Sequence, residues 1–413
     1  MGQVLREFRR HPDHGTERPS QRDVAEWANL TQSQISRIES GPPITDLNRL
    51  VYWAELLRIP QDELWFALPD GPAGTNDASP AVATSAPGRP RGPLVLADGV
   101  RRDLQLLLRR STVSEEILCA WDQAVRQYGV ATRDRPPDRL LVDIALDLDD
   151  VRSALDACRS VSTSRRLLRL AAQMSGLLCL TLIKMGEYNA FRHWARLARA
   201  TGVESADRAT LAWVLAQEAY GHYYLGDMPE AIRVAQHAQA VRRKGDVAIP
   251  LAAALEARAH AVGRDERQAR AALDRAESSL EDLDGAALLP SAFGYNEAQF
   301  RFHEGNAYTH LRMTSAAMSA QAQAIKLCAP GDYTDRALTQ LDLATCLLHD
   351  GDVGAALQVA TETLRPLTPT QRAGIIATRG QEILRNVPAK ARSLPARTDL
   401  LEILITAGTA RGS

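Results

Sequence analysis

Gln32, Ser33, Ser36 and Arg37 set an amide, two hydroxyls and a guanidinium along one side of the stretch QSQISRIES. A carboxamide can hold an adenine edge by two hydrogen bonds, and a guanidinium can hold a guanine edge in the same way. Each such pairing is worth about 1–3 kcal/mol of discrimination. Val24, Ala25, Ile35 and Ile38 fall on the opposite, inward side. That division suits two short helices, one face binding them together and the other entering a major groove. Ser20 is a good N-cap for a helix from about Gln21 to Ala28. Asn29-Leu30 makes the turn, and Thr31 can cap a second helix from about Gln32 to Glu39. Gly41 stops that helix, and Pro42-Pro43 prevent its resumption. Helix N-termini at Ser20 and Thr31 would supply backbone contacts to phosphate.

Other chemistry is sparse. The sequence has no GxGxxG after a strand, no Walker loop, no HExxH and no GxSxG. An enzyme is not expected, and no cofactor or metal is implied. Of nine histidines, only His11 and His14, beside Asp13, come near metal-ligand spacing, in a polar loop. The five cysteines are scattered without a CxxC pair and are expected to pack as reduced, small apolar residues. No signal peptide or long apolar run is evident, so a cytoplasmic protein without membrane contact is expected.

The chain has 413 residues and a formal net charge of −1, which argues against coating nucleic acid but permits a small base-reading module. Only Lys184, Lys244, Lys326 and Lys390 are lysines among 49 basic residues, a bias that reflects base composition more than phosphate binding. The expected fold is all-α. Residues 1–70 make a five-helix unit around the Ser20–Gly41 segment. Residues 71–97 make a linker. Of the 23 residues 71–93, 18 are Gly, Pro, Ala, Ser or Thr, too polar and small to order themselves, so they would span on the order of 25–30 Å as a flexible tether. Residues 98–413 read as successive amphipathic helices without strand alternation.

Glycines 186, 226, 263, 305 and 351 recur at gaps of 40, 37, 42 and 46 residues, a period that means stacked helix pairs. About five pairs are expected over 165–365, with helices at 99–128 and 137–158 before them and at 370–386 and 397–408 after. The unit around Gly305 is expected to carry about five extra residues before its second helix. The clearest unit, residues 212–241, resembles a tetratricopeptide repeat, with Ala219, Gly226-Asp227, Ala231 and Ala238 at its small-residue and turn positions. Gly186 with Ala195 and Ala198, and Gly351 with Ala356 and Ala360, repeat the pattern.

The Ser20–Gly41 segment resembles the phage-repressor-like, or Xre, helix-turn-helix class, whose pattern places a glutamine at the start of one helix and another eleven residues later, here Gln21 and Gln32. The resemblance implies that Gln21 bonds a phosphate and supports Gln32, that Ser33 and Arg37 face bases, and that Arg9 and Glu39 form a structural ion pair. Two features depart from the class. The His11–Pro19 connection is longer than usual, and residues 1–70 carry eight Arg against eleven Asp plus Glu. Phosphate contact dominates affinity, so one such unit binds double-stranded DNA weakly and a homodimer is expected.

A tetratricopeptide superhelix would put its first helices on a concave face. That implies Trp213, Tyr220, Tyr223 and Tyr224 from one unit and Tyr295, Gln299, Phe302 and His303 from another, with Lys184 from a flanking unit. Asn296 could bond a peptide backbone. At helical spacing, each of these aromatics is more often core than part of a ligand site. The combination resembles peptide-sensing quorum regulators and, more closely, actinomycete regulators of development and antibiotic production. It implies a transcriptional regulator with a peptide or small-molecule effector. A protein-interaction scaffold with a vestigial DNA-binding unit is the alternative.

Overall fold

The computed structural model describes residues 6, 19–27, 32–40, 53, 113–241 and 245–409. The chain divides into two compact units, residues 1–89 and 90–413. Every described element is helical. Arg9, Thr31, the other helices expected within 1–70, the 71–97 tether and the His11–Asp13–His14 trio lie outside the described residues.

In the first unit α1 spans Gln21–Trp27 and α2 spans Gln32–Ser40. Ser20 opens α1 with a reciprocal cap. Its Oγ accepts from the backbone N–H groups of Arg22 and Asp23, both at 3.2 Å. The Asp23 carboxylate in turn accepts from the Ser20 N–H at 2.6 Å. Hydrogen bonding from Ser20, its backbone N–H first, holds the Asp23 carboxyl below its ordinary value. Val24, Ala25 and Ile35 are fully buried, as their inward positions require, while Ile38 is half-buried. Trp53 is also buried.

The second unit begins with α3 (Glu115–Ala131) and α4 (Pro137–Ala157). Ser114 caps α3, and residues 99–112 of the helix expected over 99–128 lie outside the described residues. Five hairpins follow. They are α5 (Val161–Met185) with α6 (Tyr188–Glu204), then α7 (Arg208–Leu225) with α8 (Met228–Val241). Next come α9 (Ala248–Val262) with α10 (Glu266–Glu281), and α11 (Glu297–Leu311) with α12 (Thr314–Leu327). The last is α13 (Tyr333–His349) with α14 (Val353–Leu364), and α15 (Gly374–Asn386) and α16 (Pro395–Thr409) close the unit.

Alanines explain how the hairpins pack. Ala195 and Ala198 on α6, Ala231, Ala235 and Ala238 on α8, and Ala356 and Ala360 on α14 are all buried at helical spacing. A methyl at each position lets two backbones approach closely while still burying apolar surface. The first helices, α5, α7, α9, α11 and α13, each pack on the next, and α15 packs both on α13 and back on α5. The row of inner helices therefore returns on itself. Gly374 makes this return possible. It has φ +60°, and a Cβ there would lie 1.7 Å from the Lys184 carbonyl oxygen at the end of α5.

All five hairpin turns share one hydrogen-bond pattern. Gly186 N–H donates to Ile183 O and Glu187 N–H to Leu182 O, and the same pair recurs at Gly226-Asp227, Arg264-Asp265, Arg312-Met313 and Gly351-Asp352. The first residue of each pair sits in the left-handed region, at φ 77°, 81°, 57°, 61° and 87° in turn. The glycine period is thus corrected at two places. Gly263 precedes the left-handed Arg264, and Gly305 lies inside α11, where a Cβ would meet Gln321 Cγ at 2.9 Å. Gly202 likewise falls within α6. The extra residues lie between α10 and α11, in the Asp282–Asn296 connection, and not before the second helix of the Gly305 unit.

Among the described residues one helix, α5, is long and apolar enough to cross a membrane, but 72% of its most apolar window is buried. The five thiols are free. Cys179 and Cys346 are buried as expected, whereas Cys119 is exposed and Cys158 and Cys328 are only partly covered.

Candidate functional site

Two places gather the polar side chains of interest, one in each unit. In the first, four side chains form a relay. Gln32 Nε2 donates to Gln21 Oε1 at 2.7 Å, and Gln21 Nε2 donates to Glu39 Oε2 at 2.8 Å. Arg6 lies 3.9 Å from the same Glu39 oxygen and also donates to the Glu39 carbonyl at 2.9 Å. Glu39 is buried at 7% exposure, while Gln32 is exposed. A buried carboxylate therefore anchors an exposed carboxamide through Gln21.

The relay fixes the Gln32 amide and leaves its working atoms available. Its Oε1 can still accept, and its second N–H can still donate. Gln21 likewise keeps one N–H. Ser36 is half-buried on the same helix, and the Ser33 and Arg37 side chains lie outside the described residues. The Arg9 position of the expected ion pair is also undescribed. The partners seen for Glu39 are Arg6, one helical turn earlier, and Gln21. Arg6 carried the same sequence signal as Arg9, in LREFR.

In the second unit, the aromatic residues assigned to a concave face separate into two groups. Trp213, Tyr223 and Tyr295 are buried in the core. Trp213 donates from Nε1 to Ala292 O at 2.7 Å and packs on Phe293 at 4.5 Å between centroids. Tyr295 stacks on His303 at 5.9 Å. Tyr223 and Tyr224 pack on Arg258, whose guanidinium carbon lies 4.1 Å over the Tyr223 ring and 5.5 Å from the Tyr224 centroid. Asn296 is spent on its own chain. It caps α11 through Gln299 N–H at 3.2 Å and donates to Leu288 O at 3.2 Å.

The rest line two adjoining cavities among the starts of α11 and α13 and the ends of α3 and α5. The outer cavity measures about 220 Å³, with Asn296, Gln299, Phe302 and Leu327 among its walls. The inner one measures about 60 Å³ and is lined by Lys184, Gln217, Tyr220 and His303 among others. Arg133, Gln299, Phe302 and Asp335 belong to both. Arg133 NH1 donates to Asp332 Oδ2 at 2.9 Å and to Asp335 Oδ2 at 2.6 Å. Its NH2 donates to Ser291 O at 3.3 Å. Lys184 Nζ donates to Thr132 O.

Burial sets the electrostatics here. It pushes the Lys184 ammonium down, against the opposing pull of Asp332 and Asp335. It pushes the Asp335 carboxyl up, with Asp332 adding to the rise and Arg133 opposing it. It drives His303 well below the ordinary imidazole value, helped by Arg258 and Arg133.

Sequence reasoning missed Arg133, Gln217, Asp332, Asp335 and Arg258. Three of these carried a signal. Arg258 is the lone cation in the apolar run AIPLAAALEARAHAV, and Asp332 and Asp335 begin a helix as a cap and its N3 residue. No protein-family model, characterised protein or solved structure matches the chain.

Proposed function

We propose that the protein is a sequence-specific DNA-binding transcriptional regulator. It acts in the cytoplasm as a homodimer, and its second unit, a solenoid of tetratricopeptide-like repeats, takes up an effector. The observation that carries this reading is the Gln32–Gln21–Glu39–Arg6 relay. An exposed glutamine normally loses rotamer freedom when it binds. One already held by a buried carboxylate has less to lose, so its two hydrogen bonds to adenine count more fully. Gln21 retains an N–H for phosphate. The Ser20 and Asp23 cap fixes the entry to the supporting helix.

The acidic balance of residues 1–70 favours two copies on paired half-sites about 34 Å apart, since each copy alone neutralises few phosphates. The helical second unit gives such a dimer a place to respond to a ligand. The packed aromatic face favours a small molecule over a peptide laid along the groove.

A gel shift with DNA from the chain's own promoter region tests the first half. Wild type is expected to prefer one segment over scrambled DNA. The Gln32→Ala, Arg37→Ala double variant is expected to lose about 1–3 kcal/mol per residue, at least ten-fold in affinity, while keeping residual nonspecific binding. Equal, sequence-indifferent binding by both proteins would instead favour the scaffold reading.

A further inference from the structure

We propose that the paired cavities bind a free α-amino acid with an apolar side chain. This names the ligand class for the effector half of the reading above and rests on it. The inner cavity has a donor side and an acceptor side. On the donor side, Lys184 Nζ spends one of its three N–H groups on Thr132 O. Gln217 is 4% exposed and lines the same space, and it has no hydrogen-bond partner among the described residues. His303 Nδ1 lies 3.3 Å from Arg258 NH1. A guanidinium only donates, so Nδ1 accepts and the neutral ring carries its proton on Nε2.

On the acceptor side, Asp335 uses Oδ2 for Arg133, and its Oδ1 takes no hydrogen bond from the described residues. Gln299 Oε1 is buried and accepts no hydrogen bond. A carboxylate meets the first set and an ammonium the second. A plain anion or a plain cation would leave one set unpaired in a buried space. A zwitterion satisfies both. The outer cavity continues past Gln299 and offers Phe302, Ala324 and Leu327. At about 220 Å³ it exceeds the ~150 Å³ cavity that accommodates benzene, so a side chain of leucine, methionine or phenylalanine size fits.

The site also sits on a joint. Arg133 follows α3, and Asp332 and Asp335 begin α13, about 200 residues along the chain. An ammonium on Asp335 competes for the charge that fastens these segments, which gives binding a route to the arrangement of the whole unit.

Calorimetric titration of the full chain, without DNA, with L-leucine, L-methionine and L-phenylalanine tests the site. At least one is expected to bind saturably and raise Tm, with N-acetyl-L-leucine and L-leucinamide at least ten-fold weaker than leucine. Gln217→Leu and Gln299→Leu replace unpartnered amides, so Tm should hold or rise while affinity falls about ten-fold or more. Absence of binding by all three amino acids at millimolar concentration overturns the proposal. So does equal binding of the two derivatives, or binding that survives both variants. The gel shift is read separately. Saturable binding that leaves DNA affinity unchanged supports the site and contradicts the effector reading. Sequence-specific DNA binding without amino-acid binding contradicts the site and leaves the DNA-reading proposal standing.

Discussion

Asp342→Leu is expected to destabilise the second unit by about 3–5 kcal/mol, because it takes the buried carboxylate from a buried ion pair. Asp342 is 1% exposed and faces Arg379 Nε at 3.3 Å through Oδ1. Through Oδ2 it accepts from Asn306 Nδ2 at 2.6 Å. Asn306 Oδ1 in turn accepts from Arg258 Nε at 2.8 Å and from Tyr223 OH at 2.9 Å. The chain of contacts crosses α7, α9, α11, α13 and α15, one group from each. Arg258 itself is fully buried, with no carboxylate of the described residues in direct contact. The Tyr223 ring and the polarised Asn306 carbonyl share its charge. Removing the carboxylate at the centre leaves Arg379 with only the half-exposed Glu382 carboxylate at 3.2 Å and leaves Asn306 Nδ2 without its acceptor. Denaturant unfolding of Asp342→Leu measures the loss. The double variant Asp342→Leu, Arg379→Met should regain much of it, since a pair removed together leaves no unpaired buried charge. Additive losses would show that the ion pair is not the source.

Stability is also expected to fall steeply with acid, beginning near the ordinary imidazole value of 6.5. His303 and His310 are both held well below that value, mainly by burial, with Arg258 opposing protonation of His303 and Arg379 that of His310. In the unfolded chain both take up a proton as pH drops through 6.5, while in the folded chain they do not. Protonation therefore favours the unfolded state. The stability is present above 6.5 and is lost on the way down, by at most about 1.4 kcal/mol per pH unit for each ring. Burial pushes the Asp335 and Glu304 carboxyls up, so these groups act in the opposite sense lower on the scale. The comparison of variants is thus more telling than one curve. His303→Gln keeps an acceptor for Arg258 and cannot titrate. Urea melts between pH 7 and 5 should show it with a shallower slope than wild type over the first unit below 6.5, the remainder coming from His310 and His349. An unchanged slope would show that His303 titrates normally in the folded chain.

The hairpins were legible because burying two backbones against each other demands small residues at fixed spacing, and Ala195, Ala231 and Ala356 stand where that demand falls. The cap at Ser20 and the buried Val24 and Ile35 were legible for the same local reason. The turn register was harder to read. Arg264 and Arg312 take a left-handed conformation that glycine usually occupies, where the two turn hydrogen bonds outweigh the backbone cost of about 1–2 kcal/mol. Counting glycines therefore misplaced two turns. Nothing local announces that α15 returns to α5, since a closed row depends on the sum of small rotations between neighbours. The inner site was half visible. Lys184, Gln299, Phe302 and His303 were found through their helical faces. Gln217 and Asp335 were not, because an isolated glutamine or a helix-starting aspartate looks the same whether it faces solvent or a cavity.

Genome-wide DNA occupancy of the tagged full-length protein bears most directly on the central claim, that the relay through Gln21 and Glu39 positions Gln32 to read bases. The account predicts discrete sites sharing a paired sequence motif for wild type, and their collapse for Gln32→Ala expressed at the same level. Undiminished occupancy of the same sites by Gln32→Ala, or no enriched site for wild type, would contradict it.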